Sequence, residues 1–332
     1  MLLTFINKIY NLIKTSLFDN KIIIINSQLQ FINFIEYQNL NLKNKIEYKK
    51  NNIFITTATK NEVEKIFLTK IKFKNNHIFD INFRYFKLLL FLILKLRSLL
   101  NNELDFIIIG DHNNITKKYN VFFDRIRNFT KKIVTLDDGT SIFYLKKIYN
   151  HHNYIFFSHF DKKYFDTRQN RYIKNEYTHI KALKKKTTTK KNYIILLGTP
   201  FLKKSLLKEK HYIKCLKFLK KKYINRDIYY FPHPKENTND IRKLDMFKII
   251  KSNLGFEIYL LSQKIIPSKI IGFNSTALIT INILFNKRID LENYFYINEN
   301  NKYIGKKNLL FQKKIINYFS KYLNINTKFI KL

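Results

Sequence analysis

Residues 22–25 form an unbroken Ile run between polar neighbours, the pattern of a strand covered on both faces of a sheet. Similar runs at 53–57, 106–109 and 132–136 alternate with stretches of helical periodicity. The first of these opens on Ser27-Gln28-Leu29-Gln30, where Ser27 and Gln30 form a Ser-x-x-Gln capping box ahead of Leu29, Ile32, Phe34 and Ile35. Strand, helix and strand in turn predict a parallel sheet. After the polar, low-complexity stretch 181–191, read as a linker, the pattern restarts. A strand at 193–197 ends in Gly198-Thr199-Pro200, and a Lys-rich helix runs to Leu219. Strands follow at 227–231 and 269–273, then helices at 277–284 and 307–322. The expected fold class is α/β, with two Rossmann-like domains facing across a cleft. They span 21–185 and 190–332, the second ending in a C-terminal helix, and an extension covers 1–20.

In that extension Leu2, Leu3, Ile6, Ile9, Tyr10, Ile13 and Leu17 recur at helical spacing around Lys8 and Lys14. This is an amphipathic helix, packed either on the protein itself or on a membrane surface. The apolar segment 88–94 is too short to span a bilayer and is flanked by Lys87, Lys95 and Arg97.

Composition changes the picture in two ways. The formal charge of +38 is carried by Lys scattered among Asn, Ile, Phe and Tyr along all 332 residues. It is not gathered on one face or in a nucleic-acid module, which argues against nucleic acid as the partner. It still favours anionic membranes and anionic substrates. Cys215 stands alone, which excludes an intramolecular disulfide and a Cys metal cluster, and it fits a reducing cytoplasm.

Three short elements follow predicted strands: Asp137-Asp138-Gly139, Pro232-His233-Pro234 and Asn274-Ser275-Thr276. Carboxyl ends of strands are where open α/β sheets bind ligands. Adjacent carboxylates raise one another's pKa, which suits a general base. The two prolines restrict the backbone around His233. Ser275 and Thr276 open a helix, where free N–H groups attract an anion. The plain alternatives are a solvated Asp-Gly turn, an incidental turn histidine and an ordinary N-cap.

Together these elements resemble the bacterial sialyltransferases of glycosyltransferase family fifty-two, the capsule polysialyltransferases and family eighty. Those enzymes share a carboxylate-carboxylate-Gly motif, a His-Pro motif and a downstream Ser/Thr pair. Asn26-Ser27-Gln28-Leu29-Gln30 is similar to their Ser/Thr-Pro-Leu-Gln segment, with Gln28 in place of Pro. Leu197-Gly198-Thr199-Pro200 is similar to the turn that begins their nucleotide-binding domain. The resemblance implies a GT-B glycosyltransferase that moves sialic acid, with inversion, from CMP-sialic acid to a lipooligosaccharide or capsule glycan. Asp137 would be the general base and His233 the group at the donor phosphate. Gly198, Thr199, Pro234, Glu257, Ser275 and Thr276 would line the donor site, Glu257 as a buried strand-end carboxylate on the ribose. Ser27, Gln28, Gln30, Asp138 and Gly139 would form the acceptor-side loops. No metal and no cofactor beyond the nucleotide sugar is expected, because the chain has no Asp-x-Asp. The implied location is the cytoplasm, peripheral at the inner face of the membrane. A UDP-sugar transferase of the same fold and a non-catalytic basic protein binding membrane or nucleic acid are the alternative functions.

Overall fold

The computed structural model describes residues 21–41, 52–56, 76–80, 83–100, 104–110, 130–139, 154–165, 170–183, 186–199, 209–234, 236, 246–297, 314, 316–323 and 325–331. The predicted N-terminal amphipathic segment and Pro200 lie outside them. The chain divides into two compact units, 1–179 and 180–332.

The first unit is a seven-stranded parallel sheet. Its strands are β1 (Lys21–Ile24), β2 (Asn52–Thr56), β3 (Asn76–Asp80), β4 (Leu104–Gly110), β5 (Thr130–Leu136), β6 (Tyr154–Ser158) and β7 (Arg171–Lys174), in spatial order β3-β2-β1-β4-β5-β6-β7. β1 lies parallel between β2 and β4, so the order reverses beside it. Helix α1 (Gln28–Asn41) seals one face. Its Phe31, Phe34 and Tyr37 pack with Ile23, Phe106, Ile108, Val134, Leu136, Ile155 and Phe157. The alternate residues Ile22, Ile24, Ile107, Ile109 and Ile133 are buried on the other face. Burial on both faces is why these strands read as continuous apolar runs rather than as alternation. Helix α2 (Phe83–Leu99) buries Leu90, Ile93 and Leu94, as its apolar segment predicts. Among the described residues no helix is long and apolar enough to cross a membrane.

The second unit repeats the scheme with six parallel strands. They are β8 (Thr188–Leu197), β9 (Asp227–Phe231), β10 (Lys248–Ile249), β11 (Ile265–Gly272), β12 (Asp290–Ile297) and β13 (Asn326–Lys331), in order β10-β9-β8-β11-β12-β13. Helix α4 (Glu209–Lys222) places Tyr212, Cys215, Leu216 and Leu219 on the sheet at helical spacing and leaves Lys214, Lys217 and Lys221 exposed. Burial pushes the Cys215 thiol up to about 12, so this cysteine serves as core. The units are thus two Rossmann-like α/β sheets, as the alternation predicts.

Several elements differ from expectation. Most of the stretch read as a linker is regular: α3 (Thr178–Leu183) enters it and β8 begins five residues before the predicted strand. The early β8 residues pair with Ile265, Ile266 and Pro267 of β11, so tertiary pairing overrides a polar sequence. Strands β3, β6, β7, β10, β12 and β13 were not foreseen, and β13 follows a π-helical turn at Tyr318–Tyr322 where only a terminal helix was expected.

Candidate functional site

The structure places the three strand-end elements as the sequence predicts, at the carboxyl ends of β5, β9 and β11. In the first unit, Ser27 caps α1 by accepting from the Gln30 N–H at 3.2 Å, while Gln30 Oε1 accepts from the Asn26 N–H at 2.7 Å. The capping box is therefore present, reaching back one residue further than usual. Gln28 is the first helical residue, a position that also suits Pro, which explains how the helix keeps its start without the family's proline. Gly110, ending β4, lies under Gln30, because a Cβ there would overlap the Gln30 amide. The same Ser27 hydroxyl donates to Asp138 Oδ1 at 3.1 Å, which joins the loop after β1 to the loop after β5. Asp138 is half-buried, and Gly139 takes φ 72°, a left-handed turn that glycine adopts without strain.

Asp137 is fully buried. Its Oδ1 accepts from Ser158 Oγ at 2.6 Å and its Oδ2 from the His159 N–H at 2.7 Å. The His159 ring nitrogen Nδ1 also lies 2.7 Å from Oδ2. The Asp137 carbonyl accepts from Asn33 Nδ2 at 3.0 Å, and Asn175 Nδ2 in turn donates to Asn33 Oδ1 at 3.0 Å. A helix and the ends of three strands thus converge on the Asp137 residue, whose carboxylate is held from the end of β6 and whose main chain is held by Asn33. The accessible member of the predicted pair is Asp138, whereas Asp137 meets solvent only through other groups.

In the second unit, Glu236 organises the loop after β9. Its Oε2 accepts from the His233 N–H at 2.7 Å, and its Oε1 accepts from the Tyr230 hydroxyl at 2.7 Å and the Thr199 N–H at 3.2 Å. Burial raises the Glu236 carboxyl against these hydrogen bonds, which pull it down. Gly198 makes the clamp possible, since a Cβ there would overlap Glu236 Oε2 and stand 2.8 Å from the His233 backbone nitrogen. Thr199 is buried, and its hydroxyl has no hydrogen-bond partner among the described residues. His233 is half-buried and Pro234 exposed in the turn that follows.

The turn after β11 is built on Asn274, whose φ of 53° is left-handed. Buried Asn293 of β12 holds it, accepting from the Asn274 N–H at 2.8 Å. Ser275 and Thr276 then open α6 (Ala277–Phe285), and Thr276, its N-cap, makes no side-chain capping hydrogen bond. Glu257 differs from expectation: it lies half-buried in the first turn of α5 (Phe256–Ser262), not at a strand end. The reason is Gly255, which takes extended geometry and acts as the N-cap, so that the apolar run after it coils as a helix.

Sequence reasoning missed His159, Glu236, Asn293 and Tyr177. His159 had a signal, a histidine just after the apolar run 154–157. Glu236 stands three residues after His233. Nothing local marks Asn293, which acts across strands. Among the described residues no three His, Cys, Asp or Glu side chains gather as a metal site.

The family model described as Alpha-2,8-polysialyltransferase (POLYST) matches residues 120–289, a span that contains all three strand-end elements. No curated protein matches the chain. Among solved structures, the E. coli heptosyltransferase WaaC with ADP is similar at 9% identity, covering 92% of this chain and 100% of that one with a TM-score of 0.40.

Proposed function

The chain belongs to the alpha-2,8-polysialyltransferase family, and from that premise we propose that it is an inverting GT-B sialyltransferase that uses CMP-sialic acid and extends a cell-surface glycan of the lipooligosaccharide or capsule type. The observation that carries the reading is that the matched span holds a buried carboxylate, a braced histidine and a hydroxyl pair, each at the carboxyl end of a parallel strand. That is where open α/β sheets place ligands.

The chemistry follows from what each loop can supply. The loops after β8, β9 and β11 present the Thr199 and Ser275–Thr276 hydroxyls, the His233 imidazole and the N-terminus of α6. Together these suit one phosphate: hydroxyls and N–H groups donate to its oxygens, and the imidazole, when protonated, stabilises the charge left by the departing CMP. Glu257 is assigned to the ribose hydroxyls. In the first unit the Asp137 cluster removes the acceptor proton, with Asp138, Ser27 and Gln30 shaping the acceptor side. A monophosphate leaving group needs less neutralisation than a diphosphate, so the reaction runs without a metal. The net charge of +38 suits peripheral work at the inner face of an anionic membrane.

The deciding experiment compares transfer from CMP-sialic acid with transfer from UDP-sugars onto oligosialic acid and onto lipooligosaccharide. Turnover of CMP-sialic acid alone is expected. Turnover of a UDP-sugar alone would make the chain a UDP-sugar transferase of this fold. No turnover, no thermal shift with CMP and tight salt-sensitive binding to DNA or vesicles would mark a basic binding protein.

A further inference from the structure

At the mouth of β5, β6 and β7 lies a second histidine that the donor chemistry leaves unused. His159 is 2% exposed, and its Nδ1 stands 2.7 Å from Asp137 Oδ2. Its other ring nitrogen, Nε2, is buried and has no hydrogen-bond partner among the described residues. A buried polar atom left unsatisfied costs about 1–3 kcal/mol, so an intact structure that keeps one calls for a reason.

The neighbourhood is over-built for a structural histidine. Asp137 takes three donors at once: Ser158 Oγ, the His159 N–H and the His159 ring. Ser158 Oγ in turn accepts from the Phe160 N–H at 3.0 Å. The His159 carbonyl accepts from Lys174 Nζ at 2.7 Å. The imidazole leans on the Phe160 ring, with centroids 4.2 Å apart. Beyond Nδ1 stands the Tyr177 hydroxyl at 3.4 Å. Tyr177 is fully buried with φ 54°, a left-handed geometry uncommon for a bulky residue, and such strain gathers at functional sites.

We propose that Asp137 and His159 form a carboxylate–imidazole dyad in which His159 Nε2, and not Asp137, takes the proton from the acceptor hydroxyl. The inference rests on the transferase reading above. With both carboxylate oxygens engaged in a dry site, Asp137 fixes the ring with its proton on Nδ1, which leaves the Nε2 lone pair free. Asp137 is then a positioning residue that also stabilises the imidazolium once formed, the division of labour of a catalytic triad. In the step itself the acceptor O–H proton moves to Nε2 while the oxygen bonds to the anomeric carbon. The bond from that carbon to the CMP phosphate oxygen breaks, its electron pair leaves with CMP, and the imidazolium later gives its proton to water.

The groups around the ring have defined senses. Asp137 faces Nδ1, Tyr177 stands behind it, and Lys174 sits on the main chain, 3.5 Å from Asp161 Oδ1. Tyr172 donates to the Phe160 carbonyl, and its phenol is raised by burial and then by the charges of Asp137, Asp161 and Glu176. That phenol stays protonated through the neutral range.

The test compares Asp137→Asn, His159→Asn and His159→Gln. His159→Asn can still donate to Asp137 but has no basic nitrogen. For both His159 variants we expect a fall in kcat of about 10²-fold or more, typical of a lost general base, with CMP affinity unchanged by titration. The ascending limb of the wild-type pH–rate profile should disappear in both. Asp137→Asn should keep a limb but lower kcat, because an amide can hold the wrong tautomer. In the resting protein, a nitrogen-15 NMR spectrum should show His159 protonated on Nδ1 and bare on Nε2, a result that needs no activity. A His159→Asn protein that keeps wild-type kcat and pH profile would overturn the dyad and return the base to Asp137 or Asp138. So would an Nε2-protonated tautomer. If the wild type transfers no sialic acid at all, the transferase reading fails instead, and the NMR result still decides the dyad geometry.

Discussion

A single missing Cβ shapes the histidine loop. At Gly198 an added methyl would meet Glu236, the Tyr230 hydroxyl and the backbone of His233 together, so Gly198→Ala must shift the loop that carries the imidazole. The expected cost is about 1–3 kcal/mol of stability, the usual range for overpacking, together with a clear loss of CMP affinity. Urea unfolding and titration with CMP check both, and unaltered affinity would show that the Glu236 clamp does not position the donor site. Glu236→Gln is a milder probe. It keeps an acceptor for one N–H but places an amide where the other is made, so kcat should fall more than the folded fraction does. Equal losses of the two would make Glu236 a purely structural residue.

Where strands meet, single side chains hold whole elements. Glu292 of β12 binds Lys269 of β11, Lys328 of β13 and Tyr223 beyond α4. Burial alone would raise its carboxyl, but the hydrogen bonds from Lys269, Lys328 and Tyr223 outweigh burial and hold it at about 2. A carboxyl depressed in this way stabilises the fold fully above its ordinary value near 4.5 and loses that contribution as pH falls toward 2. The expected loss is roughly 3 kcal/mol across this window, and Glu292→Gln should remove most of that acid dependence. Denaturant unfolding over a pH series measures it; an unchanged slope in the variant would exclude Glu292 as the source. One residue further along β12, Asn293→Ala should release the left-handed Asn274 turn and weaken CMP binding through Ser275 and Thr276. A second change, Asn274→Gly, should recover part of the affinity because glycine adopts that turn unaided. If the single variant binds CMP normally, the turn is not part of the phosphate site.

For the molecule as a whole, the donor site proposed from hydroxyls, an imidazole and a helix N-terminus implies that EDTA leaves transfer intact. Activity lost in EDTA and restored by Mg²⁺ would replace that site with a metal-bridged one. The net charge makes a second prediction, independent of the chemistry. The protein should sediment with anionic vesicles at low salt and leave them at high salt, since each basic group near the surface adds about 1 kcal/mol that ions screen within roughly 8–10 Å. Equal binding to neutral vesicles would remove electrostatics as the cause.

The sequence by itself determined the fold class and the position of the three strand-end elements. Continuous apolar runs have one stable use in a parallel sheet, and a chain with few glycines places them where the backbone must turn. It also marked the helix start at Ser27, because capping is local chemistry. Short edge strands such as β7 and β13 were not legible, since four to six mixed residues carry no period and become strands only beside a partner. The same limit hid the site's supports. Asp137 is an ordinary turn aspartate until β6 brings His159 against it, 22 residues along the chain. Asn293 is one polar residue in a strand until the neighbouring strand turns at Asn274. Which carboxylate is buried, and which histidine it orients, was decided only by strand order, because pairing across a sheet depends on contacts that sequence spacing does not encode.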